Sequence, residues 1–178
     1  MHKEKLTPRK TLQMAAGKHL LKGEIMSIRV LFVCHGNICR STMAQYVLQH
    51  MVEQAGMAEQ FYIDSAATSY EEIGNGVHPG TRKKLAQVGI HCGNHKARHL
   101  EKSDYDQFDY IIGMDSANMK NIARIAGNDY KGKVYKLLQF AGETGDIADP
   151  WYTGNFDATY EDVEKGCRGF LEFLNERS

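Results

Sequence analysis

The chain has 178 residues, 42% of them hydrophobic, and 22 Lys+Arg balance 22 Asp+Glu to a formal net charge of zero. That length fits about one domain with a sizeable core, and the balanced charge excludes a bulk basic field that would gather nucleic acid, with no basic patch or stacking motif in its place. No apolar run approaches the roughly 18 residues of a membrane span, the polar N-terminus carries no apolar signal core, and four cysteines are too few for a disulfide scaffold, so a reducing, cytoplasmic setting is expected.

Met1–Lys18 is polar and basic with little periodicity, and residues 1–25 read as an extension, a tag or an upstream start before Met26. A short helix over Leu12–Leu21 and a partner-binding arm are the structured alternatives. From Ile28 the pattern becomes alternating strand and helix. Ile28–Val33 is an apolar, β-branched run that predicts a buried strand. A turn at His35-Gly36-Asn37 follows, then a helical face of Met43, Ala44, Val47, Leu48, Met51 and Val52, closed by Gly56. Phe61–Ser65 predicts a second strand and residues 68–79 a loop. A helix over Gly80–Val88 is closed by Gly89. Phe108–Met114 predicts a third strand, and Ser116–Ile125 a helix burying Met119, Ile122 and Ala123. Val134–Leu138 predicts a fourth strand and Gly142–Phe156 a long loop. Thr159–Leu174 predicts a last helix facing inward through Tyr160, Val163, Cys167, Phe170, Leu171 and Leu174. Strands separated by helices imply an α/β fold, a three-layer α/β/α sandwich on a four-stranded parallel sheet spanning 26–178 as a single domain. Ligands in such sheets bind at the carboxyl ends of the strands, which brings the Cys34 loop, the Ser65 turn and the Met114-Asp115 turn to one rim.

The segment from Val30 to Ser41 carries the chemistry. A strand runs into a compact loop that opens a helix, an arrangement whose backbone N–H groups and helix N-terminus suit a tetrahedral oxyanion. It lacks the Gly-Lys-Ser/Thr ending of a nucleotide loop. Instead it begins with Cys34 and ends with Arg40. Backbone dipoles and the guanidinium favour the nucleophilic thiolate, and Arg40 offers a planar fork to two phosphoryl oxygens. Gly36 permits the tight curl, and Asn37 tolerates a left-handed conformation. The Ser41 hydroxyl can donate to the Cys34 sulfur and steady it as a leaving group. A covalent route also needs a general acid that later activates water. Asp149, stiffened by Pro150, is the best carboxylate for it. Trp151 and Tyr152 beside it can wall a pocket for an aromatic phosphoester or pack on the scaffold. His91 and His95 lack a third ligand nearby, so no metal is expected, and no other cofactor is called for.

These residues resemble the signature of the low-molecular-weight protein tyrosine phosphatases. The resemblance rests on Val33–Ser41, Asp64–Thr68, Phe108–Asn118 and Asp149–Tyr152, four blocks in order across about 27–175. It implies the strand order 2-1-3-4, with Cys34 as nucleophile, Arg40 as phosphoryl binder and Asp149 as acid and base. Asn37, Ser41, Ser65 and His95 match the supporting hydrogen-bond network, and Asp115 a carboxylate that braces the loop. Trp151 and Tyr152 match aromatics of the substrate cleft. The implied partners are phosphotyrosine-containing proteins, with the chain a monomer or weak dimer. Its length after Met26 suits a bacterial member. Cys39, inside the loop, is either a redox partner forming a reversible disulfide with Cys34 or a packed structural cysteine.

Several positions depart from the common pattern. Thr42 stands where proline is frequent, Gln45 replaces a frequent glutamate, and His35 stands at the pocket mouth. Glu71 falls where an aromatic wall is common, with Tyr70 adjacent to take that role. Ile38 stands where protein-arginine phosphatases carry threonine, and it favours phosphotyrosine. Arsenate reductase needs a nearby cysteine pair that Cys92 and Cys167 do not form. A non-catalytic phosphotyrosine-binding module does not need both Cys34 and Asp149.

Overall fold

The computed structural model describes residues 26–178. The extension at 1–25 and its helix over Leu12–Leu21 lie outside the described residues.

Four strands form one parallel sheet in the order β2-β1-β3-β4, with β1 Ile28–Cys34, β2 Phe61–Ala67, β3 Tyr110–Gly113 and β4 Val134–Lys136. The central strand explains itself. Val30, Leu31, Phe32 and Val33 are all fully buried, because a parallel strand with helices on both faces has no wet side. Alternation then divides them. Val30, Phe32 and Cys34 pack into a core with α1 (Arg40–Gln54) and α6 (Phe156–Glu176), whereas Leu31 and Val33 pack against α4 (Ser116–Ala126). Two further helices are α2 (Pro79–Gln87) and the single turn α3 (Asp104–Gln107).

The predicted elements shift in instructive ways. The third strand is shorter than Phe108–Met114, because Phe108 closes α3 and Met114 turns its N–H to Asn118 Oδ1. The fourth strand stops at Lys136, and Leu137–Ala141 tightens into a 3₁₀ turn against α6. That packing needs glycine, since a Cβ on Gly169 would lie 2.2 Å from the Phe140 carbonyl oxygen. In α4, Ala123 faces solvent, and Ile122 and Ala126 make the inner stripe. The loop before α6 contains a four-residue helix, α5 (Pro150–Thr153), which Asp149 caps. Gly89 lies one residue beyond the α2 cap with φ +77°, a left-handed stop.

The register sets the rim. Cys34 pairs with Ala67, and Val33 with Gly113, so β1, β2 and β3 end together. The chain leaves β1 for α1 between a neighbour on either side, which opens a crevice at the point where strand order reverses. No helix among the described residues is long and apolar enough to cross a membrane.

Candidate active site

The loop 34–41 is held by its carbonyls. Cys34 O accepts from Thr68 N–H and His35 O from Ser69 N–H, at 3.0 Å each. Ile38 O accepts from His78 N–H at 2.9 Å, and Cys39 O accepts from Thr42 Oγ1 at 3.0 Å and Thr81 Oγ1 at 3.2 Å. With the carbonyls tied to the scaffold, the N–H groups of His35, Gly36, Ile38 and Cys39 donate to no acceptor among the described residues. A ring of unpaired N–H groups at a helix N-terminus suits an oxyanion.

Asn37 is the keystone. Its φ is +59°, the one positive value outside glycine among the described residues, and its side chain is fully buried. The strain is held by four contacts. Its N–H reaches Cys34 Sγ at 3.3 Å, and its Oδ1 accepts from Arg98 N–H at 3.1 Å. Its Nδ2 donates to Ser41 Oγ at 2.9 Å, and its carbonyl lies 3.0 Å from His95 Nε2. Gly36, expected to supply the unusual curl, is outside the left-handed region. A Cβ there would meet Glu72 Cγ at an ordinary 3.4 Å, so the turn belongs to Asn37.

Ser41 Oγ lies 3.0 Å from Cys34 Sγ. Because Asn37 already donates to that oxygen, the serine proton is free to point at the sulfur. Arg40 is almost fully buried. Its Nη1 donates to Asp115 Oδ2 at 2.6 Å and to Ile147 O at 3.0 Å, and its Nη2 to Asp149 Oδ2 at 3.3 Å. Its Nε is buried without a partner among the described residues. Burial opposes the guanidinium charge, but Cys34, Asp115 and Asp149 together outweigh it, so the pKa lies above its usual value. Asp115 does two jobs: Oδ2 orients Arg40, and Oδ1 accepts from Asn118 N–H at 2.7 Å as the N-cap of α4.

One cleft gathers Cys34, Arg40 and Asp149 at its base, with Trp151 and Tyr152 on one wall and Glu71 and Glu72 on the other. Both aromatics are mostly exposed. Trp151 meets His78 edge-on, with ring centroids 5.6 Å apart, and the other face of the contact is a stack of His78 on Phe156 at 5.2 Å. His35 stands at the mouth, with Nε2 3.0 Å from Glu71 Oε2.

Two expectations need correction. Tyr70 is not part of this cleft, because its ring lies flat on His99 with centroids 3.8 Å apart, over a neighbouring hollow. Glu71 and Glu72 take that wall instead. Ser65 does not touch the loop directly. Its Oγ donates to Gln45 Oε1 at 2.5 Å, so it acts on the loop's helix rather than on the loop. Cys39 is a buried free thiol, like Cys34, and its pKa is pushed up to about 12, first by burial and then by the charges of Cys34 and Asp149.

Sequence reasoning missed Arg98 and His78. Arg98 ties Asn37 to a salt bridge with Asp64 at 3.1 Å and a two-pronged pair with Asp104. Arg98 stands among other basic residues and 34 positions from Asp64, so no local signal marks it. His78 before Pro79 read only as loop, and nothing local announces its contact with the Ile38 carbonyl.

Comparison with known proteins agrees with this geometry. The family model for low molecular weight phosphotyrosine protein phosphatase matches residues 29–178. The chain is 37% identical over 151 residues to the low molecular weight protein-tyrosine-phosphatase YfkJ of Bacillus subtilis, covering 84% of this chain and 97% of that one. It is 43% identical over 153 residues to a low molecular weight phosphotyrosine protein phosphatase of Schizosaccharomyces pombe, covering 83% and 97%. The crystal structure of YfkJ from Bacillus subtilis superposes with a TM-score of 0.82 at 35% identity, covering 85% of this chain and 97% of that one. A loop that opens with cysteine and closes with arginine, on a sheet of this order, therefore belongs to a member of the low molecular weight phosphotyrosine protein phosphatase family.

Proposed function

We propose that this protein hydrolyses phosphotyrosine in proteins, and small aryl phosphates, through a phosphocysteine on Cys34. The phosphoryl group sits in the ring of loop N–H groups, with Arg40 Nε and Nη2 on its oxygens. Cys34 Sγ attacks phosphorus as the bond to the tyrosine oxygen breaks, and Asp149 gives that oxygen its proton. Water then attacks the phosphocysteine. Asp149 takes the water's proton, the sulfur leaves toward the Ser41 hydroxyl, and inorganic phosphate is released. Donors fixed before reaction stabilise charge as it shifts in both steps. No metal enters either step.

One observation carries this reading: nucleophile, guanidinium and carboxylate meet at the base of one cleft, with Arg40 bonded to Asp149. The aromatic wall of Trp151 and Tyr152 suits a flat phenyl ester, and Ile38 on the loop offers a phosphoguanidine no hydroxyl. The substrates on this reading are phosphotyrosine proteins of a reducing, cytoplasmic setting, where Cys34 stays a thiol.

The test is hydrolysis in EDTA of matched phosphotyrosine, phosphoserine and phosphoarginine peptides by wild type and Cys34→Ser. Release from phosphotyrosine alone, lost in C34S, is the expected result. Preferred release from phosphoarginine would move the substrate class. Binding without release would favour a recognition module, and arsenate reduction without hydrolysis a reductase.

A further inference from the structure

Beyond the cleft lies a second, wider hollow of about 680 Å3, against about 90 Å3 for the cleft itself. His35 and Glu71 line both spaces, and their 3.0 Å contact forms the ridge between them. The far rim is the outer side of α4, where Arg124 Nη2 donates to Asn121 Oδ1 at 3.2 Å. The near side is Tyr70, three-quarters exposed and stacked flat on His99. Thr68 lines the hollow too, and its Oγ1 is buried without a partner among the described residues.

We infer that this hollow is a docking subsite for the phosphoprotein, taking an acidic side chain that flanks the phosphotyrosine. The inference rests on the function proposed above. A peptide whose phosphotyrosine fills the cleft and which leaves it over the His35–Glu71 ridge places its flanking residues in the hollow. Three features select the residue. The rim guanidinium is held with its fork partly fixed by Asn121, which suits a carboxylate. Glu71, the one carboxylate lining the hollow, is engaged by His35. The Tyr70–His99 stack gives a flat platform for the peptide's aliphatic stem. The cleft mouth differs: Glu72 adds a carboxylate that the hollow lacks, and the arginine that lines the cleft, Arg40, is buried, so an acid is disfavoured close to the phosphotyrosine and favoured one step out.

The experiment is a set of phosphotyrosine peptides with Asp, Ala or Lys at each flanking position in turn, with kcat/KM measured for wild type, Arg124→Glu and Arg124→Gln. An exposed ion pair is worth about two- to five-fold here. Asp at one or two positions on one side of the phosphotyrosine is expected to exceed Lys by about that factor. R124Q levels the ranking and R124E inverts it, while para-nitrophenyl phosphate, too small to reach the hollow, is hydrolysed alike by all three. Equal values for Asp and Lys at every position would overturn the inference, and so would an Asp preference that survives R124E. Absence of hydrolysis of any phosphotyrosine substrate by wild type would instead overturn the function it rests on.

Discussion

Asn37 Nδ2 donates to Ser41 Oγ at 2.9 Å, and Cys34 Sγ lies 3.0 Å from the same oxygen; a thiolate there can only accept, so the hydroxyl then donates to the sulfur. On the proposed mechanism, that contact steadies the sulfur as it leaves, with Asn37 holding the hydroxyl in place. A hydrogen bond to a charged group is worth about 1.5–3 kcal/mol, so Ser41→Ala is expected to lower kcat by about 10- to 100-fold. The loss belongs to breakdown of the phosphoenzyme, so single-turnover formation changes less than steady-state rate. Equal loss in both phases would contradict the assignment.

Asp115 pairs with a buried arginine and caps a helix, and two substitutions separate these roles. Asp115→Asn keeps a good cap but sets an amide N–H against Arg40 Nη1, whereas Asp115→Ala loses both. Breaking a largely buried pair costs about 2 kcal/mol after allowing for the partly exposed carboxylate, and the cap adds about 1 kcal/mol. At about 2–4 °C per kcal/mol, Tm falls by about 6 °C in D115N and further in D115A. A smaller shift in D115A than in D115N would show that the cap contributes nothing.

His95 gives the loop a pH dependence of known sign. Burial holds its pKa below the usual value, against the opposing pull of the Asn37 carbonyl and Asp64. The unfolded imidazole takes a proton near pH 6.5, while the folded one resists until the pH is lower. The unfolded state therefore binds more protons in that window, and stability contributed by His95 is present above about pH 6.5 and lost as pH falls through the folded pKa. Thermal melts from neutral to mildly acidic pH should fall more steeply for wild type than for His95→Gln. Parallel slopes would remove His95 from the network.

Cys39 stays protonated at neutral pH, since its pKa is pushed up to about 12 by burial and then by Cys34 and Asp149. Oxidation of Cys34 to the sulfenic acid removes one of those charges. If Cys39 is the redox partner, condensation of that acid with its thiol is expected to form a disulfide and release water. After brief peroxide treatment, a thiol reductant is expected to restore wild type but not Cys39→Ser, which proceeds to the sulfinic acid. Equal recovery of the two would leave Cys39 a packing residue.

The fold was legible because its period was. Val30–Val33 is an unbroken apolar run, and α6 repeats its apolar face from Val163 to Leu174. The candidate loop was legible because it lies in one stretch, from Cys34 to Ser41. What escaped was set by tertiary contacts. Tyr70 and Glu71 are adjacent, and only the stack on His99 decides which of them walls the cleft. Leu137 and Leu138 read as strand, and the close approach of Gly166 and Gly169 of α6 goes with a turn there. Ser65 belongs to Gln45 because β2 faces α1, a pairing that no local spacing reveals.

The covalent step is the centre of the account, and Asp149→Ala exposes it. With para-nitrophenyl phosphate the leaving group needs little protonation, so formation of the phosphoenzyme proceeds, while its hydrolysis lacks the base. Rapid acid quench followed by peptide mapping is the measurement. The account predicts a stoichiometric burst of nitrophenol and phosphate bound to the peptide that carries Cys34. Nitrophenol release with no phosphate on Cys34, or label on another residue, would contradict it.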